Sequence, residues 1–235
     1  MRRIATAILI VFGLALEASA QNPPARTGAS SSKAPSQSSA SPPAAEVDGI
    51  AARIGNDVLT ESEVRELEGY QKLLEGHAQD RAKVVDELID QWIVRTDALA
   101  TKFPRPTDVE VSHEFEALLG EFRSREEFQT RLTQIGLTQD EVREVLEQQL
   151  YYIRFLNYKF HAVTEVSAAQ IAAYYQQEFL PELRKRGLSV PPLNKVEAQI
   201  RQLLTQEEIN EKADQWLEQA KARLRIVIQP PGGGG

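Results

Sequence analysis

From Val47 to Gln229 the apolar positions fall mostly three and four residues apart, the spacing that puts them on one side of a helix. The clearest run holds Val85, Leu88, Ile89, Trp92, Thr96 and Leu99 on one stripe, with Asp86, Asp90 and Arg95 off it. This helix should end near Lys102, because Pro104 and Pro106 follow. The helix starts are legible too. Ser or Thr stands three residues ahead of Glu or Gln at Thr60/Glu63, Thr107/Glu110, Ser124/Glu127, Thr138/Glu141 and Ser167/Gln170. In such a box each side chain answers a backbone N–H that the first turn leaves open. Each match sits just ahead of a helix-period pattern. Helices are therefore expected from Glu126 to a stop at Gly136, from about Gln139 to Phe160, and from Ala168 to Lys185.

The last helical stretch follows Pro191-Pro192. Val196, Ile200 and Leu203 share one stripe, and Ile209, Ala213, Trp216 and Ala220 share another. The step from Leu203 to Ile209 slips the phase. Either one long helix changes its packing partner there, or two helices meet. The lack of Gly or Pro favours a single helix.

Two short β-type stretches bracket this helical body. Ile50-Ala51-Ala52-Arg53-Ile54, the turn Gly55-Asn56-Asp57 and then Val58-Leu59 read as a hairpin. Leu224-Arg225-Ile226-Val227-Ile228 reads as a strand. A lone hairpin or strand is not stable in water. Each is the other's nearest candidate partner, which predicts one small sheet joining the two ends of the body.

The first twenty residues follow a different logic. Arg2 and Arg3 precede an apolar run from Ile4 to Leu16, and Ala18-Ser19-Ala20 supplies small residues for cleavage before Gln21. This is the pattern of a secretory signal peptide, and the run is too short for an ordinary membrane span. Residues 21–46 are rich in Ser, Ala and Pro without aromatics, and are expected to form a disordered linker, as are residues 230–235. The expected layout is a signal peptide at 1–20, a linker at 21–46, one helical domain at 47–229 and a short tail. Localisation in the periplasm follows from export and from the absence of any cysteine, which leaves the core to stand without disulfides. The formal net charge is −7 for the whole chain. Both signs mix along the helices, and an acidic balance disfavours nucleic acid as a partner.

The order of these features resembles SurA-type periplasmic chaperones. Asp48-Gly49-Ile50 through Val64 is similar to their entry, in which a strand, a small turn, a second strand and a Thr or Ser cap lead into the first helix. Val85-Asp86-Glu87-Leu88-Ile89-Asp90, Pro106 through Val111, Glu127-Phe128 with Leu132 and Gly136-Leu137, and Trp216-Leu217 through Ile228 resemble later parts of the same frame. The resemblance implies a mainly α chaperone module, a multi-helix body with a small sheet made by the N-terminal hairpin and the C-terminal strand. Members of that family commonly insert parvulin-type prolyl isomerase domains ahead of the last helix. Here that place holds only Gly187-Leu188-Ser189-Val190-Pro191-Pro192, far too little for a domain with its own sheet.

Candidate chemistry is sparse. His77, His113 and His161 fall in no metal-ligand spacing, and no nucleophile elbow, phosphate loop or calcium loop is present, so neither a catalytic residue nor a metal or other cofactor is expected. Aromatic residues are more suggestive. Tyr151, Tyr152 and Phe155 crowd one long helix, and Tyr174, Tyr175 and Phe179 crowd the next. They either pack between adjacent helices or line an open groove. Neighbours in a helix point about 100° apart, so Tyr151 and Tyr152 should meet different surroundings, as should Tyr174 and Tyr175. The six are the candidate peptide-binding residues. The functional expectation is an ATP-independent chaperone whose partners are unfolded or extended polypeptides, outer-membrane proteins in transit among them. A prolyl isomerase and an envelope assembly subunit with one fixed partner are the alternatives.

Overall fold

The computed structural model describes residues 48–230, so the expected signal peptide, the linker and the last five residues lie outside the described residues. The described chain is mainly helical with one small antiparallel sheet. Strand β1 (Ile50–Ile54) and strand β2 (Asp57–Thr60) form the opening hairpin, with Ile54 paired to Asp57 across a turn at Gly55 and Asn56. Gly55 has φ +60°, the left-handed value that a tight hairpin demands at its first turn residue. The C-terminal strand β3 (Ile226–Ile228) pairs antiparallel with β1, so the sheet order is β2-β1-β3. The predicted closure of the two ends is present. A hydrogen bond from the Gly55 amide to the Arg225 carbonyl, 2.9 Å, and one from the Gln229 amide to the Ala51 carbonyl, 2.8 Å, extend the closure beyond the strand. Ala51, Ala52 and Ile54 of the central strand are fully buried, which lets the helices pack close against it.

Eight helical segments follow the hairpin: α1 (Glu61–Glu75), α2 (Arg81–Ala100), α3 (Asp108–Gly120), α4 (Arg125–Ile135), α5 (Gln139–His161), α6 (Ala168–Tyr174), α7 (Leu180–Lys185) and α8 (Leu193–Arg223). Four of the five predicted capping boxes form in full, at Thr60, Thr107, Thr138 and Ser167. The fifth is half made. Ser124 accepts from the Glu127 amide, but the Glu127 carboxylate takes the Arg123 amide at 3.1 Å instead of returning to Ser124. Gly136 ends α4 at φ +74°, as a left-handed C′ residue.

The interior divides into two clusters. The main core joins the sheet to α1, α2, α3, α4, α5 and the C-terminal half of α8, with Leu73, Ile89, Phe128, Leu132 and Phe155 among its fully buried side chains. A second, smaller cluster joins Val166, Ile171, Tyr175 and Leu180 to Val196 and Ile200 on the N-terminal half of α8. Helix α8 is therefore continuous and changes partner along its length. Its first half packs on α6 and its second half, through Ala213 and Leu217, on the main core. The phase slip marks the crossing, where Leu203 is 42% exposed.

Helix α2 departs from its expected stripe. Val85, Leu88 and Ile89 are buried, but Thr96 and Leu99 face outward, and Ile93, Val94 and Ala98 are buried in their place. The stripe read from sequence advanced at 3.5 residues per turn. A straight helix turns at 3.6, so the buried face drifts by about 20° every seven residues.

From Ala168 to Lys185 the chain stays helical, but Tyr175–Phe179 widen into a π turn between α6 and α7. Pro181 supplies the reason: it has no amide hydrogen, and its ring would press on the carbonyl of Gln177 in a regular α-helix.

Candidate functional site

The expected aromatic residues separate by environment. On α5, Tyr151 and Phe155 are interior, 6% and 1% exposed, whereas Tyr152 is half-buried. In the second cluster Tyr175 is buried at 7%, while Tyr174 and Phe179 are half-buried. The two neighbouring pairs do meet different surroundings, as helix geometry requires. Tyr151, Phe155 and Tyr175, however, do not belong to an open wall. They bury ring area against their own chain, and the hydroxyls of the two tyrosines are engaged internally. The Tyr151 hydroxyl donates to the Phe103 carbonyl at 3.0 Å, and the Tyr175 hydroxyl to the Pro191 carbonyl at 2.7 Å. The Tyr175 and Phe179 rings stack with centroids 5.9 Å apart.

Phe103 organises the α5 group, and the sequence reading passed over it. Its centroid lies 5.9 Å from Tyr151, 5.5 Å from Phe155 and 5.0 Å from Tyr158. It gets there through a left-handed turn at the end of α2. Lys102 has φ +56°, and the Phe103 amide reaches back to the Ala98 carbonyl at 2.8 Å. An apolar residue directly after a left-handed C′ position is the recurring partner in this kind of helix stop, and that was the available signal.

Outside this buried group, large apolar side chains remain open to solvent. Tyr158 is 65% exposed although its ring rests on Phe103. Leu99 is 50% exposed, and its neighbours in the chain reach the same stretch of α5: Asp97 pairs with Lys159 at 2.7 Å, and Phe103 lies on Tyr158. Val163, just past the end of α5, is 65% exposed. Lys159 sits under this surface, its ammonium 4.6 Å from the Trp216 ring and held by Asp97.

Recesses are small. A slot between β2, α2 and α5, lined by Leu59, Trp92 and Tyr152 among others, holds about 30 Å³. That is room for about one water molecule and not for a client side chain. A shallower recess of about 240 Å³ lies beside Leu119, Arg125, Phe128 and Gln139.

One polar group is drawn inside. Lys221 on α8, with only 14% of its side chain exposed, lies 2.9 Å from Asp86 and 2.7 Å from Asp90, both on α2. Its aligned hydrogen bond goes to Asp86, and the Asp90 Oδ1 is buried without one, so that contact is an ion pair rather than a well-formed hydrogen bond. Burial drives the Asp90 carboxyl up to about 7, against the opposing pull of Lys221. Burial also works against the charge on Lys221, but Asp86 and Asp90 outweigh it and hold the ammonium above the ordinary lysine range. Burial first, and then the charges of Asp90, Asp214 and Glu87, push the Tyr152 phenol well above its usual value.

His77, His113 and His161 are all exposed, and among the described residues no group of three or more acidic or histidine side chains could hold a metal ion. No helix among the described residues is long and apolar enough to cross a membrane.

No protein family matches the chain, and no curated protein does. A solved structure from a study of two structurally related SurA-like chaperones of Campylobacter jejuni, the virulence factor PEB4 and the periplasmic protein Cj1289, is similar to this chain with a TM-score of 0.47 at 10% identity, over 77% of this chain and 98% of that one.

Proposed function

We propose that this protein is an ATP-independent, chaperone-like binder of unfolded or extended polypeptides in the periplasm, with outer-membrane proteins in transit among its clients. The carrying observation is the exposure of Leu99 and Tyr158 near the C-terminal ends of α2 and α5 and of Val163 just beyond α5, with the Tyr158 ring packed on Phe103 and Phe155. Singly exposed apolar residues are ordinary, but three at one end of a packed helix pair offer a contact surface. The half-buried Tyr152, Tyr174 and Phe179 extend what a client reaches, while Tyr151, Phe155 and Tyr175 act as the packed support behind them. Phe103 and Phe155 pack against the Tyr158 ring, so little side-chain freedom is lost on binding. Small contacts of this kind are individually weak and release without an energy source.

The order of strand, cap and helix noted in the sequence supports the same reading, as does the joining of both chain ends in one sheet. The test is refolding of a denatured porin by dilution, followed by light scattering. A molar excess of this protein should lower the scattering. Unchanged scattering would remove the client claim.

A further inference from the structure

The connection between α7 and α8 places clustered cations beside exposed aliphatic side chains. Arg184, Lys185, Arg186 and Lys195 fall within or beside it, and no acidic residue lies between positions 183 and 195, in a chain whose formal net charge is −7. All four cations are exposed. Among the described residues, only Arg186 of the four is engaged by a carboxylate, that of Glu182 at 2.7 Å. Between the cations the chain presents Leu188 at 54% exposure and Val190 at 42%, with exposed Ser189 between them.

This tip is a held shape. Gly187 turns the chain at φ +66°, and the Leu188 amide donates to the Leu183 carbonyl at 2.9 Å. The Tyr175 hydroxyl fixes the Pro191 carbonyl at 2.7 Å, and the Lys195 amide returns to the Pro192 carbonyl at 2.9 Å. Leu180 before the tip and Val196 after it are both buried in the second cluster. In helix stops of this kind the residue after the left-handed glycine usually covers an apolar residue of the last turn. Leu188 occupies that position and remains more than half exposed.

We propose that this tip docks reversibly on an anionic phospholipid surface. Two projecting aliphatic side chains enter the boundary between headgroups and acyl chains, and the flanking cations meet lipid phosphates. Arg184, Lys185, Leu188, Ser189 and Val190 are all exposed, so the tip presents its cations and aliphatics outward. A soft, planar, negatively charged partner suits a projecting tip that carries four cations and no acid between positions 183 and 195. The acidic remainder of the chain faces the same surface with repulsion, which confines contact to the tip. Two aliphatic side chains bury too little area for permanent anchoring, so the contact is peripheral and salt-dependent. The proposal is independent of client binding, because the refolding assay above contains no lipid.

The absence of native cysteine makes the test direct. A Ser189→Cys variant of the full chain, labelled with an environment-sensitive fluorophore, is mixed with vesicles of phosphatidylglycerol and phosphatidylcholine, and then with vesicles of phosphatidylcholine alone. The expected result is a blue-shifted emission with the anionic vesicles, reversed by added salt and absent with the neutral ones. The same label at Gln134→Cys, exposed on α4, should not respond. Arg184→Glu with Lys185→Glu should weaken vesicle binding by about tenfold or more. Leu188→Ser with Val190→Ser should remove the blue shift. Circular dichroism verifies that each variant is folded. No shift at position 189, or an equal shift at position 134, overturns the proposal. A shift produced as strongly by polyglutamate also overturns it, in favour of an acidic polypeptide partner.

Discussion

Lys221 and Asp90 face each other at 2.7 Å across the contact between α8 and α2, one on the helix that leads into the closing strand and the other on a helix of the main core. Asp86, itself about half exposed, shares the same ammonium at 2.9 Å, so two carboxylates compete for one cation that is mostly withdrawn from solvent. The contact lies two residues before the end of α8 at Arg223, and it fastens that end of the helix to the core just before β3 joins the sheet. Removing the cation leaves the acids without their partner. Lys221→Met should lower unfolding free energy by about 3 kcal/mol at pH 8, as for a buried pair deprived of one member, and chemical denaturation would measure it. The loss should shrink at pH 5, where Asp90 can take a proton.

The raised carboxyl of Asp90 carries a pH dependence of definite sign. Its folded value is about 7 against an ordinary 3.8, so the folded chain binds this proton more tightly than the unfolded chain. Stability from this group is therefore gained as pH falls from about 7 toward 4 and lost as pH rises through that window. The slope contributed is at most about 1.4 kcal/mol per pH unit. Denaturation midpoints of the native chain and of Asp90→Asn, taken between pH 5 and 8, should differ in slope by a sizeable part of that figure. Parallel profiles would show that Asp90 titrates as an ordinary carboxylate.

Lys102 pays a local conformational penalty at φ +56° to set Phe103 under the tyrosines. Glycine takes that conformation without the strain of a Cβ. Lys102→Gly should leave the fold intact and stabilise it by up to about 1 kcal/mol, read as a rise in melting temperature.

Gly69 on α1 is a packing glycine. A Cβ there would stand 2.8 Å from Leu137 Cδ1 and 2.9 Å from its Cγ, at the branch point of the side chain rather than its free end. Gly69→Ala gains helix propensity but should still cost about 1–2 kcal/mol, because Leu137 must move. A stabilised variant would mean that α1 and the start of α5 can separate at little cost.

Local signals were the most readable part of the sequence. Thr60, Thr107, Thr138 and Ser167 cap their helices as expected, because a capping box depends only on residues three apart. The closure of the sheet could be argued because neither end is stable alone. What depends on drift or on a distant neighbour was harder. Thr96 and Leu99 were placed on the buried face of α2 by a repeat slightly shorter than the real helical turn. The slip at Leu203 was visible, but only the second cluster shows which helix takes over. Periodicity indicated that Tyr151 and Tyr152 diverge, and it could not say which of the two the Phe103 turn would cover. The buried Asp90–Lys221 pair joins positions 131 apart, and no local pattern announces it.

The account stands or falls on the exposed apolar surface at Leu99 and Tyr158. Both side chains are at least half exposed, so replacing them with serine should cost about 1 kcal/mol, from the lost ring contacts of Tyr158 with Phe103 and Phe155. The direct measurement is light scattering of a denatured porin diluted into the native protein or into the Leu99→Ser, Tyr158→Ser double variant, at equal concentration and with melting temperatures matched. The native chain should suppress aggregation, and the folded double variant should lose most of that effect. Equal suppression by both would contradict the assignment of client contact to this surface.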